Sequence, residues 1–168
     1  MNRSRIAVLS IVALGSLASP LAPMSAKALV YNASASAPRG WYWMSHPLEI
    51  RVGDVVLAPL PQNIANLADA RHYLPLAIPI LKRVGAIEPE RVCMRGTWVQ
   101  IGTHIVAERL ERDGAGRPLP AWQGCRALMP GELFLLNTTH RASFDSRYFG
   151  PISSASVLGV ARPLWTWP

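Results

Sequence analysis

Fifteen prolines are scattered through these 168 residues, and they constrain the fold more than any other feature. A proline inside a helix removes a backbone donor and clashes with the preceding turn. Few long helical periods survive at this density, so an all-β fold is expected. Half of the residues are hydrophobic, enough for a real core in a single domain. No internal repeat is visible.

The N-terminus reads differently from the remainder. Arg3 and Arg5 precede an uncharged run from Ile6 to Ala22, which Pro20 and Pro23 bring to an end. A basic start and a long apolar run mark a targeting segment, and Ala26-Lys27-Ala28 has the small-x-small form of a cleavage site. Residues 1–28 are therefore expected to be a cleaved signal peptide or a retained apolar anchor helix. Either way Arg3 and Arg5 stay in the cytoplasm and residues 29–168 are exported. That places the domain in the periplasm, at or anchored in the inner membrane through residues 6–22.

Past that segment lies Ser34-Ala35-Ser36-Ala37-Pro38-Arg39-Gly40. Residues i and i+2 of an extended stretch share a face, so both serines can point into one pocket without a bulky neighbour. The same composition also suits a plain linker. Trp41-Tyr42-Trp43-Met44 follows, suited to a groove wall, a membrane interface or an ordinary core. Strands are expected at Leu48–Val52, Val55–Ala58, Val92–Met94, Thr97–Ile101, Ile105–Ala107, Leu133–Leu136 and Ala155–Val160. Residues 61–75 read as a short helix or polar loop, and Asp113–Pro118 as a surface loop. Trp165 and Trp167 either pack back or touch membrane.

The net charge is +7, with 15 arginines but only two lysines, Lys27 and Lys82. The arginines are dispersed among apolar stretches, not in a basic stripe with aromatics, so no nucleic-acid partner is expected. Lys82 sits in the apolar run Ile80-Leu81-Lys82-Arg83-Val84. On a strand, Ile80, Lys82 and Val84 share a face. If that face is inner, the amine is desolvated and its pKa falls; on a solvated edge strand it stays charged. Near the C-terminus Ser143 and Asp145 repeat the i, i+2 spacing, where a hydroxyl or carboxylate can orient an amine. The four histidines and two cysteines show no metal-binding spacing, so neither metal nor cofactor is expected. In an exported chain Cys93 and Cys125 pair as a disulfide worth about 3–4 kcal/mol by loop closure. Two free thiols are expected otherwise.

Taken together, these stretches resemble the boxes of the type I signal peptidase-like serine proteases, and most of all the TraF conjugal transfer peptidases. Ser34 to Gly40 is similar to the nucleophile box. Gly53-Asp54-Val55-Val56 resembles the short box after it, and Lys82-Arg83-Val84-Gly85 the lysine box. Ser143-Phe144-Asp145-Ser146-Arg147-Tyr148-Phe149-Gly150 resembles the final box. The boxes keep the family's order across residues 32–152. The nucleophile box lacks the methionine of housekeeping signal peptidases and is one residue shorter. Asn137-Thr138-Thr139-His140 replaces their Gly-Asp-Asn-Arg lead-in. Both departures favour the conjugation branch.

The resemblance implies coiled antiparallel sheets and a Ser-Lys dyad, with Ser36 as nucleophile and Lys82 as general base. It implies an oxyanion hole from the Ser36 N–H and Ser34 hydroxyl, and Ser143 holding the Lys82 amine. Asp145 becomes an orienter paired with Arg147. The implied substrate is a pilin precursor of the conjugative machinery, resolved by water or by its own amine to give a cyclic pilin. A general signal peptidase for secretory preproteins, or a non-catalytic exported β-domain binding pilus or secretion components, are the alternatives.

Overall fold

The computed structural model describes residues 29–34 and 37–167. The expected targeting segment at 1–28 lies outside them. Among the described residues, no helix is long and apolar enough to cross a membrane.

The chain forms β1 (Leu29–Asn32), β2 (Arg39–Ser45), β3 (Val55–Ala58), α1 (Gln62–Ala70), β4 (Ile80–Ile87), β5 (Arg91–Arg95) and β6 (Trp98–Ile101). It continues through β7 (His104–Glu108), β8 (Cys125–Ala127), β9 (Glu132–Leu135), α2 (Ser146–Phe149), β10 (Ile152–Ser153) and β11 (Gly159–Trp167). A seven-stranded sheet runs β1-β2-β11-β3-β4-β9-β10, and a four-stranded sheet runs β7-β6-β5-β8. The strand pairs are antiparallel throughout. The all-β expectation therefore holds in coarser form: the described residues are mostly β, with α1 and α2 beside the strands.

Strand β3 lies near the middle of the large sheet, and all four of its residues are buried. Val56 and Ala58 join Ile80, Val84, Leu133 and Leu135 on one face. Val55 and Leu57 join Tyr42, Leu81 and Ala161 on the other. A strand buried on both faces reads as a continuous apolar run, as Val55-Val56-Leu57-Ala58 does. Strand β9 likewise sends Leu133 and Leu135 into the first core. Its Phe134, and Leu136 just beyond it, pack with Val92, Met94 and Val99 of the small sheet.

Strand β4 couples the two cores. Its pairing with β9 shifts register between Val84 and Ala86, a bulge centred on Gly85. A bulge inserts one residue and re-aims the side chains beyond it. Ile80 and Val84 thus face the large-sheet core, while Ala86 joins the core beneath the small sheet.

Two expected strands are displaced. Leu48–Val52 is irregular, with Leu48 90% exposed. Pro47 supplies no donor for a ladder, and the Arg51 N–H bonds to the Asp54 carboxylate, closing a turn instead. Residues 154–156 form a short 3₁₀ turn, so the last strand begins only at Gly159. The aromatic run belongs to β2, where Tyr42 is buried while Trp41 and Trp43 point outward. Trp165 and Trp167 lie on β11, which pairs with β2, so these four tryptophans sit on neighbouring strands. Residues 62–70 are the helical alternative of the 61–75 reading, with Ile64 and Ala68 buried one turn apart.

Candidate active site

Strand β4 lies between β3 and β9, so the edge-strand alternative for Lys82 is overturned. Lys82 is opposite Val56 and between the inward-facing Ile80 and Val84. Only 2% of it is exposed. Its Nζ donates to the Ser143 hydroxyl at 2.7 Å. Burial pushes the amine down from 10.5 to about 8. The Asp145 carboxylate opposes that by favouring the ammonium, and the Arg147 charge adds to the lowering.

Ser143 is 2% exposed and is positioned by the loop before it. Its N–H bonds to the His140 carbonyl at 3.0 Å. The Asn137 Oδ1 in turn accepts from the Thr139 N–H at 2.8 Å, the Thr139 hydroxyl at 2.8 Å and the His140 N–H at 3.2 Å. Asparagine folds its side chain onto the backbone two residues ahead, which holds this turn without regular structure.

Asp145 and Arg147 form a fully enclosed pair beneath that turn. The guanidinium reaches the carboxylate through Nε at 2.7 Å and Nη2 at 3.1 Å, a two-pronged contact. The second carboxylate oxygen also accepts the Asn137 N–H at 3.0 Å. The remaining guanidinium donors reach the carbonyls of Glu108 (2.8 Å) and Asn137 (2.5 Å). One side chain therefore ties the end of β7, the 137–140 turn and α2 together. The contacts of Asp145 are with this framework, which fits an orienting role through the segment that carries Ser143.

The opposite wall of the cleft comes from the chain after β1. Ser36, expected as the nucleophile, and its neighbour Ala35 lie outside the described residues. Ser34 and Ala37 bracket them. The Ser34 hydroxyl donates to Asn32 Oδ1 at 2.9 Å. Its expected use as an oxyanion donor thus requires it to turn away from Asn32. A cleft of about 1070 Å³ contains Asn32, Ser34, Lys82, Ser143 and His140 in its lining, with Leu57, Leu74, Ile80, Phe144 and Leu158 among its apolar walls. Serine-bearing loop and lysine strand thus face the same space.

Cys93 and Cys125 stand opposite each other on β5 and β8 and are joined as a disulfide. Two features escaped the sequence reading. One is Asn32, whose only signal is an Asn followed two residues later by Ser. The other is a contact in the cleft lining, where the Tyr73 hydroxyl meets the Asp113 carboxylate and Arg117 Nε reaches the same oxygen at 2.6 Å. Those partners are 40 residues apart, and no local pattern links them.

The sequence profile of the family described as signal peptidase, peptidase S26, matches residues 3–167. The chain belongs to the S26 signal peptidase family. Within S26 it is 33% identical over 146 residues to a probable conjugal transfer protein TraF of Sinorhizobium fredii, covering 81% of this chain and 76% of that protein. The conjugal transfer protein TraF of Agrobacterium fabrum shows the same identity, covering 81% of each. A plasmid transfer protein TraF of Escherichia coli is 28% identical over 145 residues, covering 81% of this chain and 82% of that protein. This S26 chain is thus a TraF-type member of the signal peptidase-like group. The crystal structure of a signal peptidase I from Enterococcus faecalis superposes with a TM-score of 0.41 at 23% identity, covering 67% of this chain and 96% of that one.

Proposed function

We propose that this S26 peptidase cleaves an exported precursor with a Ser36–Lys82 dyad and that its substrate is a conjugative pilin. The observation that carries the reading is Lys82, a buried amine whose pKa is drawn down to about 8 and which is held by Ser143 in an open cleft. A serine hydroxyl is a weak nucleophile until a neighbouring base takes its proton. A lysine serves as that base only when neutral, and burial makes a neutral amine accessible near physiological pH.

In the proposed reaction, Lys82 Nζ removes the Ser36 hydroxyl proton as Ser36 Oγ attacks the scissile carbonyl. The resulting oxyanion is met by the Ser36 N–H and the Ser34 hydroxyl. The protonated Lys82 then gives its proton to the leaving amine, and the peptide C–N bond breaks. An acyl ester on Ser36 remains. Water resolves it to a linear product, or the pilin's own N-terminal amine resolves it to a cyclic one. The TraF relatives, named for conjugal and plasmid transfer, support the choice of a conjugative substrate. The Cys93–Cys125 disulfide supports an exported, periplasmic domain, with residues 6–22 holding it at the inner membrane.

The test is co-expression of a conjugative pilin precursor with wild type, Ser36→Ala and Lys82→Ala, weighing the product by mass spectrometry. Processing by wild type alone is expected, and a mass one water below the linear product identifies cyclisation. Cleavage of an ordinary secretory preprotein instead, with the pilin untouched, assigns a general signal peptidase. Transfer supported equally by all three proteins without any processing defeats the peptidase reading and leaves a binding domain.

A further inference from the structure

Asn32 closes β1 and is 6% exposed, yet every polar atom of its side chain is engaged with one loop. Its Oδ1 accepts the Ser34 N–H at 3.1 Å and the Ser34 hydroxyl at 2.9 Å. Its Nδ2 reaches the carbonyls of Ser34 at 2.9 Å, Ala37 at 3.0 Å and Pro38 at 3.1 Å. The orientation of the amide is unambiguous. A flipped group would set an NH₂ against the Ser34 N–H and an oxygen against three carbonyls. Tyr42, from the buried side of β2, adds a second donor to the Pro38 carbonyl at 2.7 Å.

These bonds join the two limbs of the loop that returns the chain from β1 to β2. Ser34 stands on one limb, Ala37 and Pro38 on the other. Residues 33, 34, 37 and 38, the described residues between Asn32 and Arg39, belong to no strand. The strands pair only up to Asn32 opposite Gly40. One side chain thus performs the bridging that a ladder would otherwise supply. The same device recurs on the facing wall, where Asn137 Oδ1 takes both the N–H and the hydroxyl of Thr139. Each wall of the cleft is therefore set by an asparagine that folds onto the residue two positions ahead.

We infer that Asn32 is a positioning residue: through the Ser34 backbone on one side and the Ala37 and Pro38 carbonyls on the other, it fixes the two limbs that flank Ser36. The inference rests on the Ser36–Lys82 reading. Positioning of this kind acts on turnover more than on binding, because a displacement of about 1 Å at reacting atoms lowers rate by about 10²-fold.

The experiment uses the full chain and purified conjugative pilin precursor, comparing wild type, Asn32→Ala, Asn32→Asp and Ser36→Ala. Amide hydrogen exchange is followed at Ser34 and at Val84, whose N–H bonds to the Asp54 carbonyl in the core. In Asn32→Ala the Ser34 amide is expected to exchange at least about tenfold faster with Val84 unchanged. Its kcat should fall by about 10²-fold with KM within about threefold. Asn32→Asp keeps the acceptor for Ser34 but turns an oxygen toward three carbonyls. Its Ser34 amide should stay protected while kcat still falls, which separates the two halves of the clasp. If Asn32→Ala loses protection at Val84 it has not folded, and Asn32→Asp then decides the question. A folded variant with wild-type kcat, or one whose entire loss lies in KM, overturns the inference while Ser36-dependent turnover in wild type preserves the reading beneath it. Wild type without Ser36-dependent turnover overturns both.

Discussion

At the scale of single residues, Lys82 is a destabilising feature retained inside the core. Its folded pKa of about 8 lies below the unbound value of 10.5, so the unfolded chain holds the extra proton between those limits. Folding is penalised in full below about pH 8, and the penalty disappears as the pH approaches 10.5. The difference corresponds to roughly 3 kcal/mol at neutral pH. Lys82→Met fills the same space without a charge but leaves the Ser143 hydroxyl short of a donor, worth about 1 kcal/mol. It should be more stable than wild type by roughly 2 kcal/mol at pH 7, with the advantage gone near pH 10 and reversed to a deficit of about 1 kcal/mol above about pH 11, where only the lost hydrogen bond remains. Urea unfolding at several pH values measures this. The same titration governs activity in the opposite sense to an ammonium-dependent reaction. On the proposed Ser36–Lys82 mechanism turnover should rise with pH through about 8, because a lysine base accepts a proton only when neutral. A rate independent of pH from 6 to 9 would contradict Lys82 as base. Asp145 behaves differently. Its carboxylate balances the enclosed Arg147 guanidinium, so Asp145→Ala should lower stability by about 3–5 kcal/mol, as removal of one partner from a buried pair does. Thermal unfolding tests this, and a fully stable but inactive variant would argue for a direct part in the chemistry instead.

At the scale of elements, β2 and β11 meet unusually closely beside the serine loop. Gly40 begins this contact with φ at 136°, and a Cβ there would stand 2.2 Å from the Trp165 carbonyl oxygen. Backbone atoms on a paired strand have little room to retreat. Gly40→Ala should therefore cost about 3 kcal/mol or more, from strain and overpacking together. Gly53 offers the control. Its φ is 93°, but a Cβ there meets nothing within 4 Å. Gly53→Ala should lower stability by only about 1–2 kcal/mol, from backbone strain alone. Denaturant midpoints of the two variants decide the ordering, and equal losses would mean that crowding at Gly40 is relieved by strand movement. The bulge at Gly85 has the complementary role. It lets one strand present Lys82 to the cleft and Ala86 to a second core within five residues, which a regular period of two does not allow.

At the scale of the molecule, the cleft and the disulfide belong to different sheets. Cys93–Cys125 joins β5 to β8 across a sequence separation of 32, while the Lys82 strand and the serine loop belong to the large sheet. Loop closure of that length contributes about 3–4 kcal/mol. Replacing both cysteines by alanine should lower Tm by roughly 10 °C. The pH–rate profile at 25 °C should be unchanged, because neither cysteine lines the cleft. Calorimetry beside rate measurements checks both halves. A profile displaced along the pH axis would show that the small sheet supports Lys82 through the shared Phe134 and Leu136 core.

Much of this was legible before any coordinates. The proline density, the all-apolar Val55–Ala58 run and the alternation around Lys82 each state a local geometry, and local geometry follows from residue type and period. The i, i+2 spacing of Ser143 and Asp145 likewise placed a hydroxyl or carboxylate where it can orient an amine, while the pairing of Asp145 with Arg147 came from the family resemblance. The sequence alone could not say which face of β4 is buried, since that depends on β3 and β9 lying on either side of it. It could not place the last strand either, because Gly159–Trp167 is held by partners at Leu57 and at Arg39–Ser45, far away in the chain. Asn32 shows the boundary most clearly. Its type and its distance from Ser34 determine that it can fold onto the following turn. Only the return of the chain at Ala37 and Pro38 brings it the two further carbonyls, and with them a hold on both sides of the serine loop.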